Sequence, residues 1–198
     1  MIDRRSFVLS SLALAALAGC GPAAPVYQDP LLGLSPVKGE TVPPDVPIKA
    51  GKSVAWTFGA NVEKYVDYSD KGEKFAASMG AGQKLLKEGD PQNLVNGGVA
   101  LLRQHYPQIK PVQDLATAAR QHVDTTFVLD IRVVAGIWPG DETTADLLLI
   151  AFDGQQKPVS RVSGHGAVKI KPYVTPEVGL CYNMAIQDLK TKADRLLS

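Results

Sequence analysis

Thr125-Thr126-Phe127-Val128-Leu129-Asp130-Ile131-Arg132-Val133-Val134-Ala135 alternates along its whole length. Phe127, Leu129, Ile131 and Val133 fall on one face, and Val128, Asp130, Arg132 and Val134 on the other, the period of two that a pleated strand imposes. Trp138-Pro139-Gly140-Asp141 then begins a connection. Residues 147–152 are apolar on both faces, as a central strand requires. Asp153-Gly154 signals a hairpin turn, and residues 158–170 place Val162, Val168 and Ile170 inward and Arg161, His165 and Lys169 outward. Three strands joined this closely predict an antiparallel meander.

Working backward, residues 113–122 read as a compact helix and residues 106–112 as a short extended segment. Asp90 is placed to cap a helix over residues 91–105, with Pro91 at its first position, where a missing N–H costs nothing. Gly89, just before it, suits the left-handed end of a preceding helix over residues 71–88, whose Phe75, Met79, Gly82 and Leu86 fall near helical spacing. Gly80, Gly82, Gly97 and Gly98 lie inside these two helices, each costing about 1 kcal/mol relative to alanine. Close helix packing would offset that cost, and a break exposing backbone amides to a ligand is the alternative. Val54, Trp56 and Phe58 alternate from Ser53 onward as a strand with one buried face. At the other end, Thr175-Pro176-Glu177 opens a helix whose stripe is Val178, Cys181, Ala185, Leu189 and Leu196, which makes Cys181 a buried core thiol. The expected class is α+β: a small mixed or antiparallel sheet with a three-strand meander, packed with about four helices.

The chain has 198 residues, 45% of them hydrophobic and 21% charged, in the range of an ordinary globular protein. Its formal charge is +1, and without Asp3, Arg4 and Arg5 the basic and acidic side chains balance. A neutral body lacks the basic face that nucleic acid requires. Gly51-Lys52-Ser53 ends like a phosphate-binding loop, but Val46 stands where its first glycine belongs, and Gly80-Ala81-Gly82-Gln83-Lys84-Leu85 has the wrong spacing, so no nucleotide is expected. His105 and His122 precede helix ends and His165 lies on a polar strand face. None has a His or Cys partner two to five residues on, so neither a metal nor another cofactor is expected.

Residues 1–19 carry two arginines, Arg4 and Arg5, followed by a Leu/Ala-rich apolar run, the layout of a secretory signal. The run is about a dozen residues, whereas a spanning helix needs roughly 20. Leu17-Ala18-Gly19-Cys20 resembles, at all four positions, the lipobox of bacterial lipoprotein signal peptides. The resemblance implies cleavage before Cys20, alkylation of its sulfur by diacylglycerol and acylation of the new amino group. A plain cleaved signal, or a cysteine kept for an intermolecular disulfide, are the alternatives. Gly21 stands where an aspartate would favour the inner membrane, so the resemblance implies the outer membrane, facing the periplasm. Asp3-Arg4-Arg5-Ser6-Phe7-Val8-Leu9 is also similar to a twin-arginine export motif, and equally compatible with an ordinary basic region. Residues 20–52 hold seven of the fourteen prolines and read as a lipidated cysteine with a proline-rich tether, leaving residues 53–198 as one domain.

The order of elements over residues 53–198 resembles the small α+β domains of envelope lipoproteins: the activators of penicillin-binding proteins, the curli-secretion channel subunit and the amino-terminal domain of TolB. The resemblance rests on the helix leading into Thr125-Thr126-Phe127-Val128-Leu129-Asp130 and on the Asp153-Gly154 turn leading to Val159. It implies a non-enzymatic module that binds another envelope protein, attached to the membrane through lipid on Cys20. Trp138 beside Pro139 is a candidate partner contact, with a core tryptophan as the alternative. The competing reading is a lipoprotein enzyme or small-ligand binder with a site near His165, Asp141, Glu142 and Asp146. Convergence of those side chains in a concave pocket separates the two readings.

Overall fold

The computed structural model describes residues 23–29, 42–78, 89–134, 140–169 and 178–197. Its elements run β1 (Val54–Phe58), α1 (Ala60–Ser78), α2 (Pro91–His105), β2 (Lys110–Pro111), α3 (Leu115–Arg120), β3 (Thr125–Val134), β4 (Glu142–Asp153), β5 (Pro158–Lys169) and α4 (Val178–Leu196). The class is α+β: four described helices and one five-stranded mixed sheet in the order β2-β1-β3-β4-β5. β2 and β3 both run parallel to β1, and β3, β4 and β5 form the antiparallel meander. No described helix is long and apolar enough to cross a membrane.

The alternation of β3 sets the layers. Phe127, Leu129 and Ile131 join Leu147, Leu149 and Val162 in the main core, against α1, α2 and α4. Each such side chain, removed from water, stabilises the fold by about 1.5–3 kcal/mol. Val128 faces the other way and packs with Leu148, Ile150, Phe152 and Leu115 of α3. Burial on both faces marks β3 as central.

α2 starts where its sequence signals it: Asp90 accepts a hydrogen bond from the Gln92 N–H at 2.8 Å, and Pro91 takes the first helical position. Gly97 and Gly98 are there for packing. A Cβ at Gly97 would collide with the Ile186 side chain of α4, and one at Gly98 with Leu129 of β3. Gly80, Gly82 and residues 79–88 lie outside the described residues, as do residues 135–139, which include Trp138, and residues 170–177, which include the expected cap at Thr175.

Several expectations are corrected. The first helix begins at Ala60 and not at Lys71. Val62, Tyr65 and Val66 supply helical spacing, and Val62 and Tyr65 are buried, so the stretch containing Tyr65 and Tyr68 is helix, with Tyr65 facing the core. β1 is not covered on one face only, because Ala55 is buried against Ala118 and Val123 while Trp56 enters the main core. Phe58, expected inside, is 45% exposed at the end of the strand. β4 begins at Glu142, earlier than the expected residues 147–152, so Asp146 sits within the strand. The β4–β5 hairpin turns at Asp153-Gly154, as expected: the Asp153 carboxylate accepts the N–H groups of Gln155 and Lys157, both at 2.9 Å, and Gln156 takes the left-handed conformation at φ 63°.

Parts of the proline-rich segment lie on the body. Pro44 bridges Arg161 in parallel at the outer edge of β5, with the Asp45 N–H donating to the Arg161 carbonyl at 3.0 Å. The Ser160 hydroxyl donates to the Val46 carbonyl at 2.7 Å. Ile48 bridges Leu197 and is 3% exposed. Further along the same strand edge, α4 takes over: Lys192 Nζ donates to the Ser163 carbonyl at 2.7 Å, and Asp188 accepts the His165 N–H at 2.9 Å.

Candidate functional site

His165 and Asp146 are direct register partners on β5 and β4, on the face opposite the main core. Strand pairing puts their side chains side by side, and His165 Nδ1 lies 2.7 Å from Asp146 Oδ1. Both are accessible, the imidazole side chain at 55% and the carboxylate at 34%. A carboxylate at Nδ1 fixes the orientation of the ring and leaves Nε2 as the available nitrogen. Asp146 is also the partner of Arg132 on β3, so an arginine, a carboxylate and an imidazole form one row across three strands.

Glu142 is on the same side of β4 as Asp146, but four residues along a strand place it on the order of 13 Å away. Glu142 is instead the partner of Lys169, and Asp141 precedes the strand at an exposed position. The structure therefore brings His165 and Asp146 together and leaves Asp141 and Glu142 at a distance. The pair lies on an open sheet face, outside the clefts formed by residues 51–55 with 105–112, by residues 23–28 with α1, and by Tyr27, Tyr65 and Tyr182. Cys20 and Trp138 lie outside the described residues.

The other two histidines have structural settings. His105 Nε2 is 3.1 Å from Asp194 Oδ1 and joins the ends of α2 and α4. His122 turns the chain after α3 at φ 54°. Cys181 is wholly buried: its thiol contacts the carbonyls of Gly166 at 3.1 Å and Thr143 at 3.4 Å, and burial raises its pKa to about 11. A thiol so placed is protonated at neutral pH and is a poor nucleophile. No group of three or more His, Cys, Asp or Glu is arranged for a metal ion among the described residues.

A second polar cluster adjoins the Arg132–Asp146–His165 row on β3, through Asp130 and Arg132, and the sequence reading missed it. Asn61, at the start of α1, is fully buried. Its carboxamide donates to Asp130 Oδ2 at 2.8 Å and to the Gln28 carbonyl at 2.7 Å, and its oxygen accepts the Gln28 N–H at 2.9 Å. Asn61 thus treats residue 28 as a strand neighbour would, pairing with both of its main-chain groups. One residue earlier, the Tyr27 ring lies under the Arg132 guanidinium, 5.2 Å from ring centroid to charge. Burial raises the Asp130 carboxyl above the usual carboxylate range, and hydrogen bonds from Asn61 and the Ile131 N–H oppose that rise. The only sequence signal for this cluster is Asp130 itself, a carboxylate in the middle of an otherwise apolar strand half.

Beside this cluster, whose hold on residues 27 and 28 makes it a clamp, Tyr27, Tyr65, Tyr68, Pro25, Arg132 and Tyr182 line a cleft of about 500 Å³. The Tyr182 hydroxyl within it donates to the Gly89 carbonyl at 2.9 Å.

No protein-family model and no curated protein matches the chain. Among solved structures it is similar to a PelC dodecamer from Paraburkholderia phytofirmans, at 14% identity and a TM-score of 0.37, over 80% of this chain and 96% of that one. A single-substitution variant of the same dodecamer gives 15% identity and 0.37 over the same shares. A TM-score of this size assigns neither family nor function.

Proposed function

We propose that the protein is a lipid-anchored cell-envelope lipoprotein whose α+β domain binds or helps assemble another envelope protein, and that it is not an enzyme. The observation that carries the reading is Leu17-Ala18-Gly19-Cys20, a four-position lipobox closing a basic and then apolar leader. Two or more acyl chains on Cys20 hold a protein on a membrane where one chain holds it only marginally. The outer membrane, facing the periplasm, is the assigned site, from Gly21 in place of an aspartate. A role in binding is supported by the open, mixed-polarity sheet face around Val134, Asp146 and His165, all of which are accessible to solvent. Trp138, in the β3–β4 connection, is the proposed partner contact.

Fractionation of cells expressing Cys20→Ala tests the anchor. The substituted protein should lose fatty-acid labelling and leave the membrane fraction, and unchanged labelling would overturn the assignment. Cross-linking in intact cells tests the binding role. A discrete adduct that weakens in Trp138→Ala is the expected result, and a chain that cross-links to nothing contradicts it.

One observation favours a second reading, a small-ligand site: the 2.7 Å His165–Asp146 pair, which holds an imidazole oriented in solvent. Its test is titration with a panel of small carboxylates and phosphates while following the His165 ring signals by NMR. Shifts that vanish in Asp146→Asn would favour this reading over the binding module.

A further inference from the structure

We infer that the face made by Pro25 and Val26 together with Lys64, Tyr68 and Lys71 of α1 rests against the bilayer that holds the acyl chains of Cys20. The inference depends on the lipid anchor proposed above and adds to it an orientation of the domain. A proline-rich tether free along its length could let the domain reach on the order of 90 Å from the membrane. The clamp removes that freedom. Gln28 is held by both polar atoms of the buried Asn61 carboxamide, and Tyr27 is held by Arg132, so the chain is already fixed to the body at residues 27 and 28. Ala23 lies on the same surface, at the rim of the shallow cleft that residues 23–28 form with α1. Only three peptide units separate Ala23 from Cys20, a span of at most about 11 Å. The lipid would therefore emerge beside this face.

The face has the composition that such a position favours. Val26 is 83% exposed, an apolar side chain projecting from a segment whose neighbours are pinned down. Tyr68 borders the same cleft, and tyrosine suits a headgroup layer, with an apolar ring and a polar tip. Lys64 and Lys71 can extend their apolar stems along the surface and keep the ammonium groups in water. Asp67 pairs with Lys71 at i, i+4, so the patch carries little net charge. Its contribution is orientation, while the acyl chains supply affinity. The Asp153–Pro158 hairpin, at the opposite end of the ten-residue β3, would point away, on the order of 30 Å from the lipid.

The test uses the full-length protein purified from membranes and placed in phosphatidylethanolamine/phosphatidylglycerol vesicles that contain nitroxide-labelled lipid. Single cysteines are introduced as Val26→Cys, Lys71→Cys or Gln155→Cys and labelled with a fluorophore. An acylated Cys20 cannot react, and Cys181 is buried. The expected result is strong quenching at positions 26 and 71 and none at the hairpin position 155. Equal quenching at all three, or none at 26 and 71 in vesicle-bound protein, would overturn the orientation. The intact mass of the same preparation reads the anchor separately: an unmodified Cys20 would overturn the lipid assignment, whatever the quenching shows. In an Asn61→Ala background, with the lipid mass unchanged, quenching at position 71 should fall to the level of position 155, because the clamp no longer holds the domain down. Quenching at 71 that survives this substitution would overturn the role given to Asn61.

Discussion

Gly164 and Gly166 flank His165 on β5, and their missing side chains let α4 approach the sheet until backbone meets backbone. A Cβ at Gly164 would strike the Ala185 carbonyl, and one at Gly166 the Cys181 carbonyl. Gly166→Val should therefore destabilise the fold by about 3 kcal/mol, the upper end of overpacking costs, because the obstacle is main chain and cannot change rotamer. The midpoint of urea unfolding checks this. At the start of β1, Ser53 donates its N–H (2.8 Å) and its hydroxyl (2.9 Å) to the Asp124 carboxylate. Those two bonds hold the Asp124 carboxyl below its usual range. A carboxyl depressed in the folded state stabilises above its unfolded pKa of about 4, and that stabilisation is lost as the pH falls through the folded value. Urea midpoints at neutral pH and in strong acid should consequently differ less in Ser53→Ala than in the unsubstituted protein, and an equal difference would contradict the assignment. At this scale the sequence was informative where a residue acts on its own backbone or enters an apolar stripe, as Asp90 and Cys181 do. It was silent about Asn61, Gly164 and Gly166, whose partners lie on other elements.

Among the elements, α2 and the meander were legible because their signals are local. A capping aspartate followed by proline sets a helix start, and alternation over ten residues sets a strand. The start of α1 was missed although Val62, Tyr65 and Val66 have helical spacing, since the tyrosines and charges around them resemble a polar connection. The parallel pairing of β1 with β2 and β3 was not visible either, as register between distant strands leaves no periodicity within one of them. The same holds for residues 42–50, which show prolines and no pattern, yet carry Ile48 into the main core. Ile48→Ala should cost about 2–5 kcal/mol, as for other large-to-small core substitutions. Chemical denaturation measures it, and a change within about 0.5 kcal/mol, as at a surface position, would show that the segment does not stabilise the body.

Across the whole molecule, both sheet edges are closed to strand addition. β2 is two residues long and contains Pro111, while β5 is covered by Pro44 and Asp45 and by side chains of α4. In the proposed binding role, recognition of a partner would then be left to faces. The His165–Asp146 pair was half legible: the sequence placed both residues near one another in the meander, and the register that joins them, and parts them from Asp141 and Glu142, is set by where β4 begins. A consequence of the proposed arrangement is that one face of α1 meets the membrane while the β4–β5 hairpin points away from it. Everything in it depends on the chemistry of one atom, the Cys20 sulfur. Mass spectrometry of the N-terminal peptide of the protein extracted from its own membranes measures that atom directly. The predicted result is a chain beginning at Cys20 and carrying a diacylglyceryl thioether and an N-acyl group. A peptide with residues 1–19 still attached, or a free Cys20 thiol, would contradict the account.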